Sequence, residues 1–87
     1  METRVALIGI IVENIDAVDK INAILHENAS YILGRMGIPY RAKAKKINII
    51  SIAIDAPQNL ISALSGKIGN LDGVSVKTAY SHIEHND

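Results

Sequence analysis

Two stretches of this chain, Arg4 to Val12 and Lys46 to Asp55, are rich in β-branched residues and apolar on both of their alternating sides. In the first, Val5, Leu7 and Ile11 oppose Ala6, Ile8, Ile10 and Val12. Successive side chains of an extended chain point to opposite sides of the sheet, so such a run belongs where both sides are shielded from water. β-branching restricts χ1 and further favours strand over helix for runs of this length. Both stretches are therefore expected as the central strands of a sheet.

Weaker segments fit around them. Ser30 to Tyr40 carries Gly34, Gly37 and Pro39, which bend or weaken a strand and suit an edge. Val74 to Tyr80 alternates, with Val74, Val76, Thr78 and Tyr80 on one side and Ser75, Lys77 and Ala79 on the other. A helix is expected from Ile15 to Asn28, with Asn14 capping its free amides and Asp16 favoured in its first turn by the helix dipole. Its apolar stripe is Ile15, Val18, Ile21 and Leu25, supported by Ala17 and Ile24. A second helix opens at Asp55-Ala56-Pro57, with proline in the first turn. It carries Leu60, Ile61, Leu64, Ile68 and Leu71, and Gly69 or Gly73 permits its exit.

The order is strand, helix, strand, strand, helix, strand. Offsets of about 42 residues between the first and third strands and about 43 between the second and fourth make it a pseudo-repeat. That is the split-βαβ, ferredoxin-like pattern: an α+β βαββαβ sandwich, with an antiparallel four-stranded sheet and two helices on one face. It places the first and third strands in the middle, as the apolar pattern independently requires. Arg41 to Lys45 becomes the hairpin tip. The 87 residues make one domain, expected over 1–81, with 82–87 as a C-terminal tail.

With both helices on one side, the other side of the sheet is open. Each Ile or Val left wet there forgoes ~1.5–3 kcal/mol of burial, and together they make an apolar patch larger than soluble monomers show. A tail of about seven residues after Tyr80 is too short to cover it. The expected cover is another copy, in a homodimer or a higher symmetric assembly such as a tetramer.

Composition removes several classes of function. The absence of cysteine excludes a disulfide scaffold, a zinc ribbon, an iron–sulfur site and a thiol nucleophile. Zero net charge argues against a dedicated nucleic-acid module. The apolar run Val5 to Val12 is too short to span a bilayer and lacks the small-residue cleavage site of a secretory leader, so no membrane partner and a cytoplasmic location are expected. Nothing marks an activated nucleophile or a paired carboxylate site, so catalysis is not expected and no cofactor is called for.

The motifs Gly34-Arg35-Met36-Gly37-Ile38-Pro39-Tyr40 and Ile61-Ser62-Ala63-Leu64-Ser65-Gly66-Lys67-Ile68-Gly69, followed by Leu71-Asp72-Gly73-Val74-Ser75-Val76-Lys77-Thr78, resemble the family of iron-only hydrogenase system regulators. Arg4 to Val12 with Glu13-Asn14 fits as well, so the resemblance covers nearly the whole chain. It implies an ACT-like fold similar to the sensor domain of nickel-responsive repressors, and a regulatory role. Those repressors carry a ribbon-helix-helix DNA-binding segment ahead of the sensor. Here the first core strand starts at Arg4, so direct DNA binding by that route is not expected. Their His and Cys metal ligands have no counterpart in the predicted strands, so the nickel chemistry is not carried over.

Four groups of residues are candidate sites. Gly34, Arg35, Met36 and Gly37 permit close backbone approach, with Arg35 able to grip a carboxylate or phosphate; the bland reading is a bulge with Arg35 solvated or at a subunit contact. Glu13 and Asn14 occupy the strand–helix junction where, by the resemblance, small effectors bind at a subunit contact; helix capping explains Asn14 equally. Arg41, Lys43, Lys45 and Lys46 form a basic run that suits nucleic acid or an acidic partner, or is simply a solvated hairpin tip. His82 and His85, spaced to share a helix face near Asp87, suit a metal unless the terminus is frayed.

The leading expectation is thus a self-associating ACT-like regulatory domain with a small-molecule effector between subunits. The alternatives are a ligand-free module that assembles with a protein partner, and nucleic-acid binding through the basic hairpin.

Overall fold

The computed structural model describes residues 2–42 and 45–86. Its elements are β1 (Glu2–Val12), α1 (Ala17–Glu27), a 3-10 turn (Ala29–Tyr31), β2 (Ile32–Ala42), β3 (Lys45–Ala56), α2 (Gln58–Gly69) and β4 (Val74–Asn86). The strands form one antiparallel sheet in the order β2-β3-β1-β4, so the two most apolar runs are central and the glycine-bearing strand lies on an edge. This is the βαββαβ architecture expected from the sequence.

The helix-covered face holds the core. Ala6, Ile8, Ile10 and Val12 of β1 and Ile50, Ile52, Ile54 and Ala56 of β3 meet Ala17, Ile21 and Leu25 of α1 and Ile61, Leu64 and Ile68 of α2. No polar side chain is buried with them among the described residues. Around this cluster sit Val18 and Ile24 of α1, Leu60 of α2, and Val74, Val76 and Tyr80 of β4, all partly buried. Edge hydroxyls pair across the layers: Ser65 Oγ lies 2.8 Å from Thr78 Oγ1, and Ser62 Oγ 3.2 Å from the Tyr80 hydroxyl.

Several local expectations are corrected. α1 begins at Ala17, and Ile15 lies outside it, 59% exposed, in a turn closed by Ala17 N–H to Asn14 C=O (3.0 Å) and Val18 N–H to Ile15 C=O (3.2 Å). Asn14 is accordingly not the helix cap; Asp16 holds that position. Pro57 stands just before α2, where its carbonyl accepts from Leu60 (3.0 Å) and Ile61 (3.2 Å). α2 ends at Gly69 with Asn70 as its C-cap, and the turn from it into β4 is made by Gly73, whose φ of +72° lies in the left-handed region that favours glycine.

The strand expected to stop at Tyr80 continues to Asn86. Its end pairs with the start of β1 (Arg4↔Glu84, Thr3↔His85, Glu2↔Asn86) after a register shift between Arg4 and Ala6. Residues 82–86 are thus strand where a tail was expected. Among the described residues, no helix is long and apolar enough to cross a membrane.

Candidate functional site

The helix-free face of the sheet is the dominant surface feature. Directly opposed residues of neighbouring strands share a face, so the register puts Leu7 and Ile11 of β1, Ile49 of β3 and Met36, Ile38 and Tyr40 of β2 together on it. On the central strands Leu7 is 51%, Ile11 45% and Ile49 37% exposed, whereas their sequence neighbours Ile8 and Ile10 are at most 1% exposed. A single subunit leaves this surface uncovered, as central strands apolar on both sides implied.

The Gly34–Gly37 candidate is split between the two faces. One extra residue at Leu33 makes a bulge, since Ile32 pairs with Ile54 while Gly34 pairs with Ala53. A one-residue shift exchanges faces, so Arg35 comes to the helix side opposite Ile52 and Met36 to the open side opposite Ser51. The Arg35 guanidinium donates to Asn22 Oδ1 of α1 at 3.1 Å. Two surface depressions of about 290 and 270 Å³ flank this pair, the first reaching His26 and the second Pro39 and Asn48. A Cβ built on Gly34 or Gly37 would meet nothing within 4 Å, so no contact inside this chain requires either glycine.

Glu13 and Asn14 lie at the far end of β1, where the Glu13 backbone and the Asn14 side chain are engaged within the chain. Glu13 N–H donates to Gly73 C=O at 2.8 Å, and Asn14 Nδ2 donates to Asp72 C=O at 3.2 Å. Asn14 Oδ1 accepts from Asp16 N–H at 3.1 Å, an Asx turn that leads into α1. A Cβ on Gly73 would stand 2.6 Å from the Asn14 Cβ. Asn14 therefore clasps the β1–α1 junction to the α2–β4 turn. This pair and Gly34–Gly37 do not converge, because β3 runs between β1 and β2.

Sequence reasoning missed a depression of about 370 Å³ between Ile15, Pro39, Tyr40, Lys46, Ile47 and Asn48. It sits at the same end of the sheet as Glu13 and joins an apolar wall to the exposed, cationic Lys46. The available signal was Ile15 itself, an apolar residue that the Asx turn holds away from the helix stripe. Asn22, the partner of Arg35, carried no signal, since nothing local links residues on a helix and a later strand.

Of the basic run, Lys46 is exposed, Arg41 pairs in register with Lys46 and Lys45 with Ala42 at the end of the β2–β3 hairpin, and Lys43 lies outside the described residues. The His82/His85 pairing presumed a helix, whereas this segment is strand; His82 is exposed and the His85 side chain lies outside the described residues. Among the described residues no group of three or more His, Cys, Asp or Glu could hold a metal ion.

Comparison with known proteins gives these surfaces a context. The sequence pattern of the TM1266-like family, described as "Iron-only hydrogenase system regulator, putative", matches residues 4–78. The chain is similar to the uncharacterized protein TM1266 from Thermotoga maritima, with 33% identity and a TM-score of 0.79 over 90% of this chain and 96% of that one. It shares its fold with the ACT domain of a GTP pyrophosphokinase from Chlorobium tepidum (19% identity, TM-score 0.61, covering 95% and 98%). The same holds for CPII from Thiomonas intermedia K12, solved with ADP, AMP and acetate (12% identity, TM-score 0.65, covering 100% and 93%). No curated protein matches the sequence.

Proposed function

Because the chain belongs to the TM1266-like family of iron-only hydrogenase system regulators, we propose that it is a regulatory, non-catalytic ACT-like domain that self-associates through its helix-free face and binds a small effector at the subunit contact. The observation that carries this reading is the half-exposed apolar surface on the two central strands. Burying it between subunits stabilises the assembly in proportion to the area removed from water. The fold shared with an ACT domain, and with CPII solved with ADP, AMP and acetate, supports small-molecule sensing as the class of activity without naming a ligand.

Within one subunit, the depression beside Ile15 suits an anion with an apolar portion. Ile15, Pro39 and Ile47 offer hydrophobic wall, and Lys46 offers a point charge. Nucleotides, amino acids, small organic acids and divalent metals screened by thermal shift test the reading. A compound that binds only the folded state at about 100 times its Kd adds about 2.7 kcal/mol of stability. The expected outcome is a rise in Tm with one class; no shift with any class at millimolar concentration contradicts effector sensing.

One observation favours a ligand-free assembly module instead. Glu13–Asn14 and Gly34–Gly37 are held apart, and Asn14 already has a structural task. That alternative predicts association without any ligand-dependent shift. Direct nucleic-acid binding has less support, because nine basic and nine acidic side chains leave the chain with no net charge to neutralise phosphates. Gel retardation at low salt that disappears in Lys46→Ala would favour it.

A further inference from the structure

Apart from Leu7 and Met36, the helix-free face is divided into a bulky half and a small half. On β2, Gly34 lies in the small half and Ile38 and Tyr40 in the bulky one. On β3, Ala53 and Ser51 are set against Ile49 and Ile47, and on β1 Gly9 is set against Ile11. The register lines up Ile38, Ile49 and Ile11 as a ridge across three strands, with Met36, Ser51 and Gly9 in the row beside it, small on the two central strands. A depression of about 260 Å³ opens on the small half, over Gly34, Ser51 and Ala53 between Leu7 and Met36.

Gly9 is the informative residue. Glycine weakens a central strand, and nothing inside the chain requires it here. Among the described residues Gly73 alone has a positive φ, and a Cβ on Gly9 would meet only the Lys77 carbonyl oxygen, at an ordinary 3.7 Å. A glycine so placed marks close approach by a group from outside the chain.

We propose that this group is Ile11 of a second copy. The two copies are related by a twofold axis that lies between the sheets, runs across the strands, and passes between the Gly9 row and the Ile11 row. That operation sets each strand over its own counterpart and exchanges the rows. It seats Ile11 over Gly9 of the second copy, Ile49 over Ser51, Ile47 over Ala53 and Tyr40 over Gly34, and each contact occurs twice. Large side chains thereby face small ones at these four contacts, the condition for two layers to interdigitate, while toward the β2 edge Ile38 meets the flexible Met36. An axis along the strands would instead press the isoleucine ridge onto itself and leave the trough empty. Aligned sheets cross at about 30°, so the pairs on β1 and β3, nearest the axis, hold the register most closely. Four strands ~4.8 Å apart and nine residues at ~3.3 Å each make a face of about 550 Å² in projection, comparable in scale with the ~800 Å² per partner of a standard interface.

This arrangement rests on self-association through the open face and adds its register. Sedimentation velocity on wild type, Gly9→Val and the double variant Gly9→Val/Ile11→Ala tests it. Valine suits a strand and has room within the subunit, so circular dichroism should remain native. Overfilling two symmetric contacts should weaken association at least about 30-fold in Gly9→Val. The double variant, with bulk removed from above the new valine, should recover most of that loss. Ser51→Val, beneath Ile49, provides the same test on β3 and should weaken association likewise. A dimeric wild type with Gly9→Val and Ser51→Val equally tight, or with no recovery in the double variant, overturns this register while self-association stands. Wild type sedimenting as single chains, the result if another molecule covers the face, overturns both.

Discussion

Both faces of the central strands carry large aliphatic residues, and those residues meet opposite fates. On β1, Ile8 and Ile10 are sealed under the helices, while Leu7 and Ile11, one position away, stand about half exposed at 51% and 45%. Strand geometry forces this separation, because adjacent side chains cannot share a side. The difference shows that hydrophobicity along a strand reports the need for cover and leaves the source of the cover open. α1 and α2 supply it on one face, and the self-association proposed here supplies it on the other.

Substitutions on the two faces should therefore behave differently. The largest effect is expected from Ile52→Ala in the helix-covered core, where the buried cavity costs about 2–5 kcal/mol in denaturant unfolding. That is a large share of the ~5–15 kcal/mol typical of a folded domain. Gly73→Ala comes next. It combines a left-handed backbone with a Cβ pressed against Asn14, and should cost about 1–3 kcal/mol by the same measurement. Ile49→Ser on the open face should change unfolding of the isolated subunit by less than about 1 kcal/mol, measured at concentrations too dilute for association. The same variant should lose self-association at micromolar concentration. If it destabilised the isolated subunit as much as Ile52→Ala does, the contrast between the faces would collapse.

Much of this fold was legible because its strongest signals are local. Apolar, β-branched residues on both sides of Arg4–Val12 and Lys46–Asp55 identified the central strands, and from them came the strand order and the open face. What escaped the sequence depends on partners far along the chain. Asn14 looks like a cap by its position before a helix, but its second partner, Asp72 C=O, is 58 residues away. The side on which Arg35 lies is decided by the Leu33 bulge, which shifts the register by one residue. The last part of β4 is too polar to announce itself, and it is ordered by pairing with an equally polar segment, Glu2–Arg4. For the site, the open face could be inferred from pattern, whereas the depression beside Ile15 could not. Its lining comes from the β1–α1 turn and two strands that meet only in the folded chain.

The central claim, that a second copy covers the open face, is most directly tested by the light-scattering mass of the wild-type chain at micromolar concentration. The account predicts at least twice the 9.4 kDa of one chain. A mass equal to one chain across that range would contradict it.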